Sequence, residues 1–304
     1  MYFDTHCHLN FAAFDNDRDT IIKKCLSNNL WMIIVGTNYE TSQKAVEIAE
    51  KYSQGVFAAV GIHPIHLEET KMDGSELDGQ KGFIAKGEDF DYKKFKNLAL
   101  SSKKVVAIGE IGLDYWHKPK GKEKRARFKE KQKKAFLEQL DLAQELNLPS
   151  IIHCRVAHDD LLKILNSKFP ARNASRSDAG GQIPDSKIRG VMHGFVGNTE
   201  QLEKYLELGL YIGFNGIIFK SIEGINFEEN IKKIPLDRIL VETDCPYLTP
   251  LPAVASVEAG VMPPTRNESL YIKYIIEKIA NIRELEYEEV AEITAKNAKK
   301  LFRI

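Results

Sequence analysis

The chain alternates short apolar runs with longer segments of helical period. Eight runs are predicted to be β-strands, at residues 2–9, 30–35, 56–60, 105–108, 150–153, 188–192, 210–214 and 239–242. Helical patterns lie between them, at 17–28, 41–52, 92–101, 125–146, 158–167, 199–208 and 226–233, and two more follow at 267–282 and 286–302. Because the apolar runs do not alternate with polar residues, they suit parallel strands covered by helices. The pattern predicts an α/β fold, a TIM (β/α)8 barrel, as a single domain over residues 1–304.

Two stretches depart from this rhythm, and we interpret both as insertions in surface loops. Residues 66–91 carry eight acidic residues against three lysines, are rich in glycine and serine, and show no clear period. Residues 171–187 are similar and contain a glycine pair. Neither stretch contains a recognisable chemical motif.

Composition and charge exclude several classes of protein. The hydrophobic share of 43% is typical of a globular protein. Lys+Arg and Asp+Glu are equal at 43 each, so a histone-like binder is excluded and any polyanion site must come from local clustering. The four cysteines lack C-x-x-C spacing, which favours reduced thiols and a cytoplasmic location, or a nuclear one in a eukaryote. No apolar stretch approaches the roughly 18 residues of a membrane span, and we expect no signal peptide.

Histidines and carboxylates collect at the ends of the predicted strands, where the active site of such a barrel lies. Asp4, His6 and His8 are expected on one face of the first strand, because side chains alternate along a strand. Later strands end at Glu110, His153, His193 and Asp244. Each of these residues alone has an ordinary structural explanation. Together they favour a metal site, because a divalent cation satisfies polar groups that are costly to bury.

Six protein ligands exceed what one catalytic zinc ion takes, so two divalent cations share them better. The natural division places His6, His8 and Asp244 on one ion, His153 and His193 on the other, and Glu110 between the two. Magnesium, manganese and zinc all remain candidates for such a site. Two ions about 3.5–4 Å apart clamp a phosphoryl group and activate a water, which favours phosphoester hydrolysis but leaves an amide or a lactone open.

The ordered motifs resemble those of the TatD-type metal-dependent deoxyribonucleases, a branch of the amidohydrolase-like barrels. They are D-T-H-C-H-L at 4–9, G-I-H-P at 61–64, G-E-I-G-L-D-Y at 109–115, H-C-R at 153–155, H-G-F at 193–195 and E-T-D-C-P-Y-L at 242–248. The resemblance runs nearly end to end and implies a barrel that holds two divalent ions through the six residues above and hydrolyses DNA, often exonucleolytically. Three departures from the family pattern occur. Val156 replaces the common acid after H-C-R, and Gly194, Phe195 and Val196 stand where relatives commonly show a small polar residue after H-C-F. The R-N-x-P signature at 266–269 lacks its proline. None of these departures removes a proposed ligand.

Four residues are assigned catalytic roles. Glu110 is the bridging carboxylate, and Asp244 could also accept the proton of the attacking water. His63, at the end of the third strand, contacts the scissile phosphate or a bound water, or else makes a hydrogen bond across the barrel mouth. Arg155 either grips a phosphate with its planar guanidinium or forms a surface ion pair.

The neighbours of these residues are given supporting roles. Asp114 and Glu242 are better suited to hold the outer N–H groups of the metal-binding histidines than to bind metal. Cys7 and Cys154 are expected to face the barrel wall as small apolar residues, because adjacent residues of a strand point in opposite directions.

A basic segment follows the fourth strand. From Lys118 to Lys134 the chain has ten lysines and arginines and two glutamates. Beside a phosphodiesterase site this charge predicts contact with the DNA backbone, with Tyr115, Trp116 and Phe128 as stacking surfaces for an unpaired base. The plain alternative is a solvated helix whose aromatic residues cover the barrel wall.

We therefore interpret the chain as a metal-dependent deoxyribonuclease in which a water activated by two metals attacks phosphorus. The alternative is a small-molecule amidohydrolase or lactonase that uses the same dinuclear site. A third interpretation, a nucleic-acid-binding or partner-binding barrel without catalysis, conflicts with the complete set of ligands. The sequence contains no sign of an obligate protein partner.

Overall fold

Eight parallel strands form the barrel in the computed structural model, which describes residues 1–72, 82–170, 188–250 and 266–304. All strands are β1 (Tyr2–Cys7), β2 (Leu30–Val35), β3 (Val56–Val60), β4 (Thr70–Met72), β5 (Phe83–Ala85), β6 (Val105–Asp114), β7 (Ser150–Arg155), β8 (Gly190–Met192), β9 (Tyr211–Phe214) and β10 (Ile239–Val241), within those residues. The barrel order is β1-β2-β3-β6-β7-β8-β9-β10, so neighbours in the chain are neighbours in space. The predicted TIM barrel is confirmed.

The first and last strands of the barrel order, β1 and β10, are joined at the last residue of β10 and just beyond it. The Thr5 hydroxyl donates to the Val241 carbonyl at 3.0 Å. The backbone N–H of Asp244 donates to the His6 carbonyl, and that of His8 to the Cys245 carbonyl, each at 2.8 Å. These bonds bring the end of β1 against the segment that follows β10.

Helices surround the barrel as the helical patterns predict. Those of the described residues are α1 (Arg18–Ser27), α2 (Tyr39–Glu50), α3 (Tyr92–Leu100), α4 (Lys122–Glu145), α5 (His158–Lys168), α6 (Thr199–Glu207), α7 (Phe227–Lys233), α8 (Ile272–Arg283) and α9 (Tyr287–Phe302). Side-chain caps fix several helix starts. At α2, for example, the Asn38 side chain accepts from the Thr41 N–H at 2.8 Å, and the Thr41 hydroxyl accepts from the Asn38 N–H at 3.0 Å.

The hydrophobic core has two parts that lie on either side of the barrel wall. Between strands and helices lies a continuous cluster that includes Met32, Phe136 and Ile276. Inside the barrel, residues such as Phe3 pack against the apolar face of α9, which contributes Leu301 and Phe302. The barrel is therefore filled by side chains, and its polar residues are left for one end.

Strand β6 is longer than its apolar run predicts. The run ends at Ile108, but β6 continues to Asp114 and pairs with β7 from Ile111↔Ile152 to Asp114↔Arg155 after a register shift. Glycine and glutamate interrupt the apolar pattern here, so the sequence hides the second half of the strand. As a consequence Glu110 lies within a strand and not in a loop after it.

The acidic insertion at 66–91 is not wholly a loop. Strands β4 and β5 form an antiparallel pair within it, from Thr70↔Ala85 to Met72↔Phe83. The absence of a clear period hid these three-residue strands. The second predicted insertion, at 171–187, lies outside the described residues. Every helix of the described ranges is too short or too polar to traverse a lipid bilayer.

Candidate metal centre

The structure brings the six predicted ligands together at the carboxyl-terminal end of the barrel. His6, Glu110 and His153 lie within β1, β6 and β7, whereas His8, His193 and Asp244 follow β1, β8 and β10. The backbone bonds between Asp244 and His6, described above, hold the first and last of these segments side by side. Parallel strands end at one rim, so residues far apart in the chain share one small volume.

One half of the cluster is formed by two histidines and two carboxylates. Nε2 of His6 lies 3.2 Å from Nε2 of His8 and 3.3 Å from Oε2 of Glu110. Oδ1 of Asp244 lies 3.3 Å from Nε2 of His8 and 3.7 Å from Nε2 of His6. Four donor atoms therefore face a common point.

The other half of the cluster gathers around the second oxygen of the same glutamate. Oε1 of Glu110 lies 3.0 Å from Nδ1 of His153, 3.7 Å from Nε2 of His193 and 3.5 Å from Nε2 of His63. His193 also reaches towards the first half, with its Nε2 3.9 Å from Oδ1 of Asp244. The two oxygens of Glu110 thus face different groups of ligands.

These separations fit divalent metal ions. Donor atoms that sit about 2.0–2.2 Å from one tetrahedral ion lie about 3.3–3.6 Å apart, which is close to the distances between His6, His8, Glu110 and Asp244. Within the described residues, His6–His8–Glu110, His6–His193–Asp244 and Glu110–His153–His193 are each compact enough to hold an ion. Imidazole nitrogens with carboxylate oxygens form a donor set that zinc and manganese accept readily.

Outer contacts orient the histidine rings of the cluster. Nδ1 of His8 donates to the Val35 carbonyl at 2.9 Å, which leaves the Nε2 lone pair for the centre. Nε2 of His153 lies 3.2 Å from Oδ2 of Asp114, which turns Nδ1 inward. Nδ1 of His193 lies 2.8 Å from Oε1 of Glu242. Each of these three rings is therefore held from behind by an oxygen atom.

His63 differs from the other histidines of the site. Its Nδ1 accepts a hydrogen bond from the Ile65 N–H at 3.1 Å, so in the neutral ring the proton is on Nε2. Burial lowers the pKa of His63 to about 3, which keeps the ring neutral at physiological pH. His63 therefore presents an N–H donor beside Oε1 of Glu110, and a lone pair for a metal is not on that side.

Histidines and carboxylates of the cluster shift one another's pKa values. Burial alone would lower the pKa of His153 and His193, but the nearby carboxylates raise these pKa values to about 9 and about 10. Burial raises the pKa of Glu110 and Asp244, but nearby imidazoles hold both pKa values below the usual range: His63, His6 and His193 for Glu110, and His193, His8 and His6 for Asp244.

Comparison with known proteins shows similarity along nearly the whole chain. The family model described as TatD related DNase matches residues 3–303. This chain belongs to the TatD family. It is 36% identical to the metal-dependent hydrolase YabD of Bacillus subtilis over 307 residues, which covers 100% of both chains. The protein is accordingly a metal-dependent hydrolase.

Other members of the TatD family are similar over the whole chain. A 3'-5' ssDNA/RNA exonuclease TatD of Erwinia billingiae is 33% identical over 304 residues, with 99% of each chain covered. Among solved structures, the TatD homolog YJJV of Escherichia coli is 27% identical and superimposes with a TM-score of 0.74, covering 100% of this chain and 98% of that one. The barrel and its length are thus shared with the family.

Asp4 does not join the metal ligands, so its expected place beside His6 and His8 is wrong. Its carboxylate accepts from the Thr243 N–H at 2.9 Å and from the Thr243 hydroxyl at 2.6 Å. The register of β1 against β2 shifts between Asp4 and Cys7, so strict alternation of side chains fails there. Asp4 instead ties β1 to the residue before Asp244.

The polar residues around Asp244 hold its segment in place. Asn267 is buried, and its side-chain amide donates to the carbonyls of Thr243 at 2.9 Å and Tyr247 at 2.7 Å. The amide therefore spans the turn on which Asp244 lies. The preceding residue, Arg266, forms an ion pair with Asp17, with 2.6 Å between Nη2 and Oδ2.

The aromatic residues after β6 are placed differently from one another. Tyr115 is 4% exposed, donates its hydroxyl to Asp160 at 2.9 Å and lies under the Lys129 ammonium. Phe128 is also buried, so the prediction that both rings offer stacking surfaces is wrong. Trp116 is 53% exposed, and the guanidinium of Arg155 lies 4.7 Å from its ring centre.

The basic segment begins in the loop before α4 and continues along the first half of that helix. Some of its cations are paired within the described residues: Lys131 with Asp89 at 2.8 Å, and Lys133 with Asp160 at 3.1 Å. Lys122, Lys124 and Arg127 are exposed at the start of the helix and have no carboxylate partner among the described residues. The accessible positive charge is therefore concentrated at the amino-terminal end of α4.

Two glutamines on the buried face of α4 support the site, and the sequence analysis missed them. The amide of Gln132 accepts from the Asp114 N–H and donates to the Asp114 carbonyl, both at 2.9 Å. Gln139 does the same for Ile62, at 2.7 Å and 3.2 Å. Polar residues seven apart on the apolar stripe of a helix are a sequence signal that could have revealed them.

The four cysteines are free and buried. Cys7 donates to the Ile33 carbonyl at 3.3 Å, and both Cys7 and Cys154 lie in the core between strands and helices. They are therefore small residues of the barrel wall, as predicted, and no thiol of the described site faces the metal ligands.

Proposed function

We propose that this protein is a metal-dependent deoxyribonuclease that hydrolyses DNA phosphodiester bonds from strand ends. One observation carries the proposal: the two oxygens of Glu110 face two separate groups of histidine and carboxylate donors. A bridging carboxylate of this kind suits a pair of ions, and paired ions suit in-line displacement at phosphorus. The names of relatives, which include 3'-5' ssDNA/RNA exonucleases, support the choice of substrate and of end-directed cleavage.

The ligands would divide as the contacts suggest, with Glu110 shared. His6, His8 and Asp244 would hold one divalent cation, and His153 and His193 the other. When bound, such cations act as Lewis acids on the phosphoryl group and lower the pKa of a water molecule. Magnesium, manganese and zinc are all compatible with these donors, and the experiment below includes each of them.

The remaining steps fall to side chains of the protein. Asp244 has a side chain that is 16% exposed, against 4% for Glu110, so it is the carboxylate better placed to accept the proton of the attacking water. His63 donates its Nε2 proton as a hydrogen bond to a phosphate oxygen, since Nδ1 is engaged by Ile65. Arg155 would bind a neighbouring phosphate through its planar guanidinium.

Digestion of end-labelled DNA tests this proposal directly. Single-stranded and duplex DNA carrying a label at either end would be incubated with each metal and with chelator. We expect release of nucleotides that chelator abolishes and that Glu110→Ala lowers at least a thousandfold, together with loss of bound metal. Glu289→Ala, on the exposed first turn of α9, is the control. Full activity of the Glu110→Ala protein would refute the role of the bridging carboxylate.

The accessible cations of α4 distinguish a nuclease from the alternative, an amidohydrolase or lactonase acting on a small molecule. For a nucleic acid, replacing Lys122, Lys124 and Arg127 by alanine should raise KM and reduce the dependence of log KM on log salt by about 0.7 for each phosphate that these cations neutralise. Replacement of Lys296 and Lys300, which are exposed on α9 beneath the barrel, is the control. Unchanged turnover and salt dependence would favour the small-molecule alternative.

A further inference from the structure

We propose that Trp116 and Arg155 form a platform for the base of one unpaired nucleotide next to the scissile phosphate. The inference rests on the proposed nuclease function and names the form of DNA that the site accepts. It assigns a binding role to a pair of residues outside the metal ligands. Its basis is the position, exposure and mutual contact of the two side chains.

The two side chains already form a stack at the rim of the barrel. The guanidinium carbon of Arg155 lies 4.7 Å from the centre of the Trp116 ring. The indole nevertheless remains 53% exposed, which is unusual for the largest aromatic side chain of a globular protein. An exposed indole backed by a cation is a surface on which a nucleobase can stack.

The stack is joined to the metal centre through Asp114. One carboxylate oxygen of Asp114 lies 3.2 Å from Nε2 of His153, and the other accepts from the Trp116 N–H at 2.8 Å. Arg155 follows His153 by two residues on β7, and its Cα pairs with that of Asp114. A base on this platform would therefore lie next to a phosphate bound at the metal centre beside His153.

An unpaired nucleotide matches the chemistry of this pair. A base within a duplex has both faces covered by its neighbours, whereas a base at an unpaired end offers a free face to the indole. The guanidinium of Arg155 can stack on Trp116 and still direct its N–H groups sideways to a phosphate. Tyr115 cannot replace Trp116, because its ring is buried and its hydroxyl is engaged by Asp160.

The charges around the platform favour the same ligand. Exposed cations at the start of α4, such as Lys122 and Lys124, follow Trp116 closely in the chain and extend the positive surface. Within the described residues, Lys131 pairs with Asp89 and Lys133 with Glu130 and Asp160, whereas Lys122 and Lys124 have no ion pair and stay available. A strand whose end lies on Trp116 could continue along this surface with its phosphates.

Tryptophan fluorescence provides a binding test that does not depend on cleavage. The chain has two tryptophans, and Trp31 lies beneath the barrel against Phe3, so Trp31→Phe leaves Trp116 as the single reporter. The same protein also carries Glu110→Gln, which prevents turnover. We expect a short single-stranded DNA to quench the emission of its Trp116. The same DNA with a tetrahydrofuran abasic residue at each of its two end positions should bind with at most a small change in emission.

Hydrolysis provides the second arm. An abasic end lacks the binding free energy that the stacking of one base contributes. We therefore expect it to lower kcat/KM of the wild type by about 5-fold to 100-fold. Trp116→Ala should lower kcat/KM for the ordinary end to that of the abasic end and leave the abasic substrate unchanged. Trp116→Phe should retain a preference for the ordinary end. Leu100→Ala, which removes another exposed apolar side chain, is the control.

The two arms separate this inference from the proposed function. Cleavage of DNA by the wild type without quenching of Trp116, or an equal effect of Trp116→Ala on both substrates, would overturn the platform and leave the nuclease standing. Quenching by DNA that is never hydrolysed in any metal would support the platform and refute the nuclease. Emission that responds equally to both DNAs would also contradict stacking on Trp116.

Discussion

Replacement of Gln139 by leucine tests how α4 supports the metal site. The side-chain amide of Gln139 satisfies both backbone groups of Ile62, the residue before His63, and both residues are buried. Leucine has a similar volume but no polar atoms, so it leaves the Ile62 N–H and carbonyl buried without these partners. The substitution therefore isolates the hydrogen bonds from the packing of the helix.

The magnitude follows from the two groups left unsatisfied. Each buried polar group that loses its partner costs about 1–3 kcal/mol, and the added apolar surface of leucine offsets a part of the total. We expect Gln139→Leu to lower the free energy of unfolding by about 2–4 kcal/mol. That is a large share of the roughly 5–15 kcal/mol that stabilises a typical domain.

Urea unfolding followed by circular dichroism measures this loss, with Gln144→Leu as the matched control. Gln144 lies on the exposed side of the same helix, so its replacement should change stability by less than about 0.5 kcal/mol. Gln139→Glu adds a sharper test, because it keeps an acceptor for the Ile62 N–H but sets a charge against the Ile62 carbonyl. A loss for Gln139→Leu no larger than that of the control would refute the reasoning.

Two further predictions concern the metal centre itself. The raised pKa values of His153 (about 9) and His193 (about 10) mean that protons on these rings stabilise the metal-free fold. This stabilisation is complete below their ordinary pKa of 6.5 and is lost as the pH rises through 9 to 10, so thermal unfolding in chelator should shift to lower temperature across that window. Asn267→Ala frees the turn that carries Asp244, and calorimetric titration should show metal affinity lowered by about tenfold or more. An unfolding temperature in chelator that does not change with pH would contradict the first argument. Unchanged metal affinity of the Asn267→Ala protein would contradict the second.

The sequence predicts most of the barrel because its strands are nearly all apolar. Runs such as Leu30–Val35 and Val56–Val60 keep their bounds in the structure, since burial on both faces leaves no other role for them. The exception is β6, whose outer half contains Gly109, Glu110 and Gly112 and so lacks the apolar signal. Pairing with β7, which depends on a neighbour far along the chain, extends this strand beyond its apolar run.

The convergence of the six candidate ligands could be predicted for a related reason, and the supporting residues could not. Parallel strands end at one rim, so polar residues that end several strands must meet. Which side chain faces that rim depends on local register, and the shift in β1 turns Asp4 away from it. The exposure of Tyr115 depends on how α4 lies over it, which no motif records.

Helix α4 connects the two halves of the proposed activity, since one of its faces supports the site and another carries the exposed cations that we propose bind the substrate. Its buried glutamines hold the backbone beside His63 and at Asp114, while its exposed amino-terminal cations point to solvent. Asp114 in turn contacts both His153 and the backbone of Trp116. A polyanion bound along the outer face would therefore contact the same helix that holds the backbone beside His63 and at Asp114. A shift of the helix would break these backbone contacts and so disturb both His63 and Asp114.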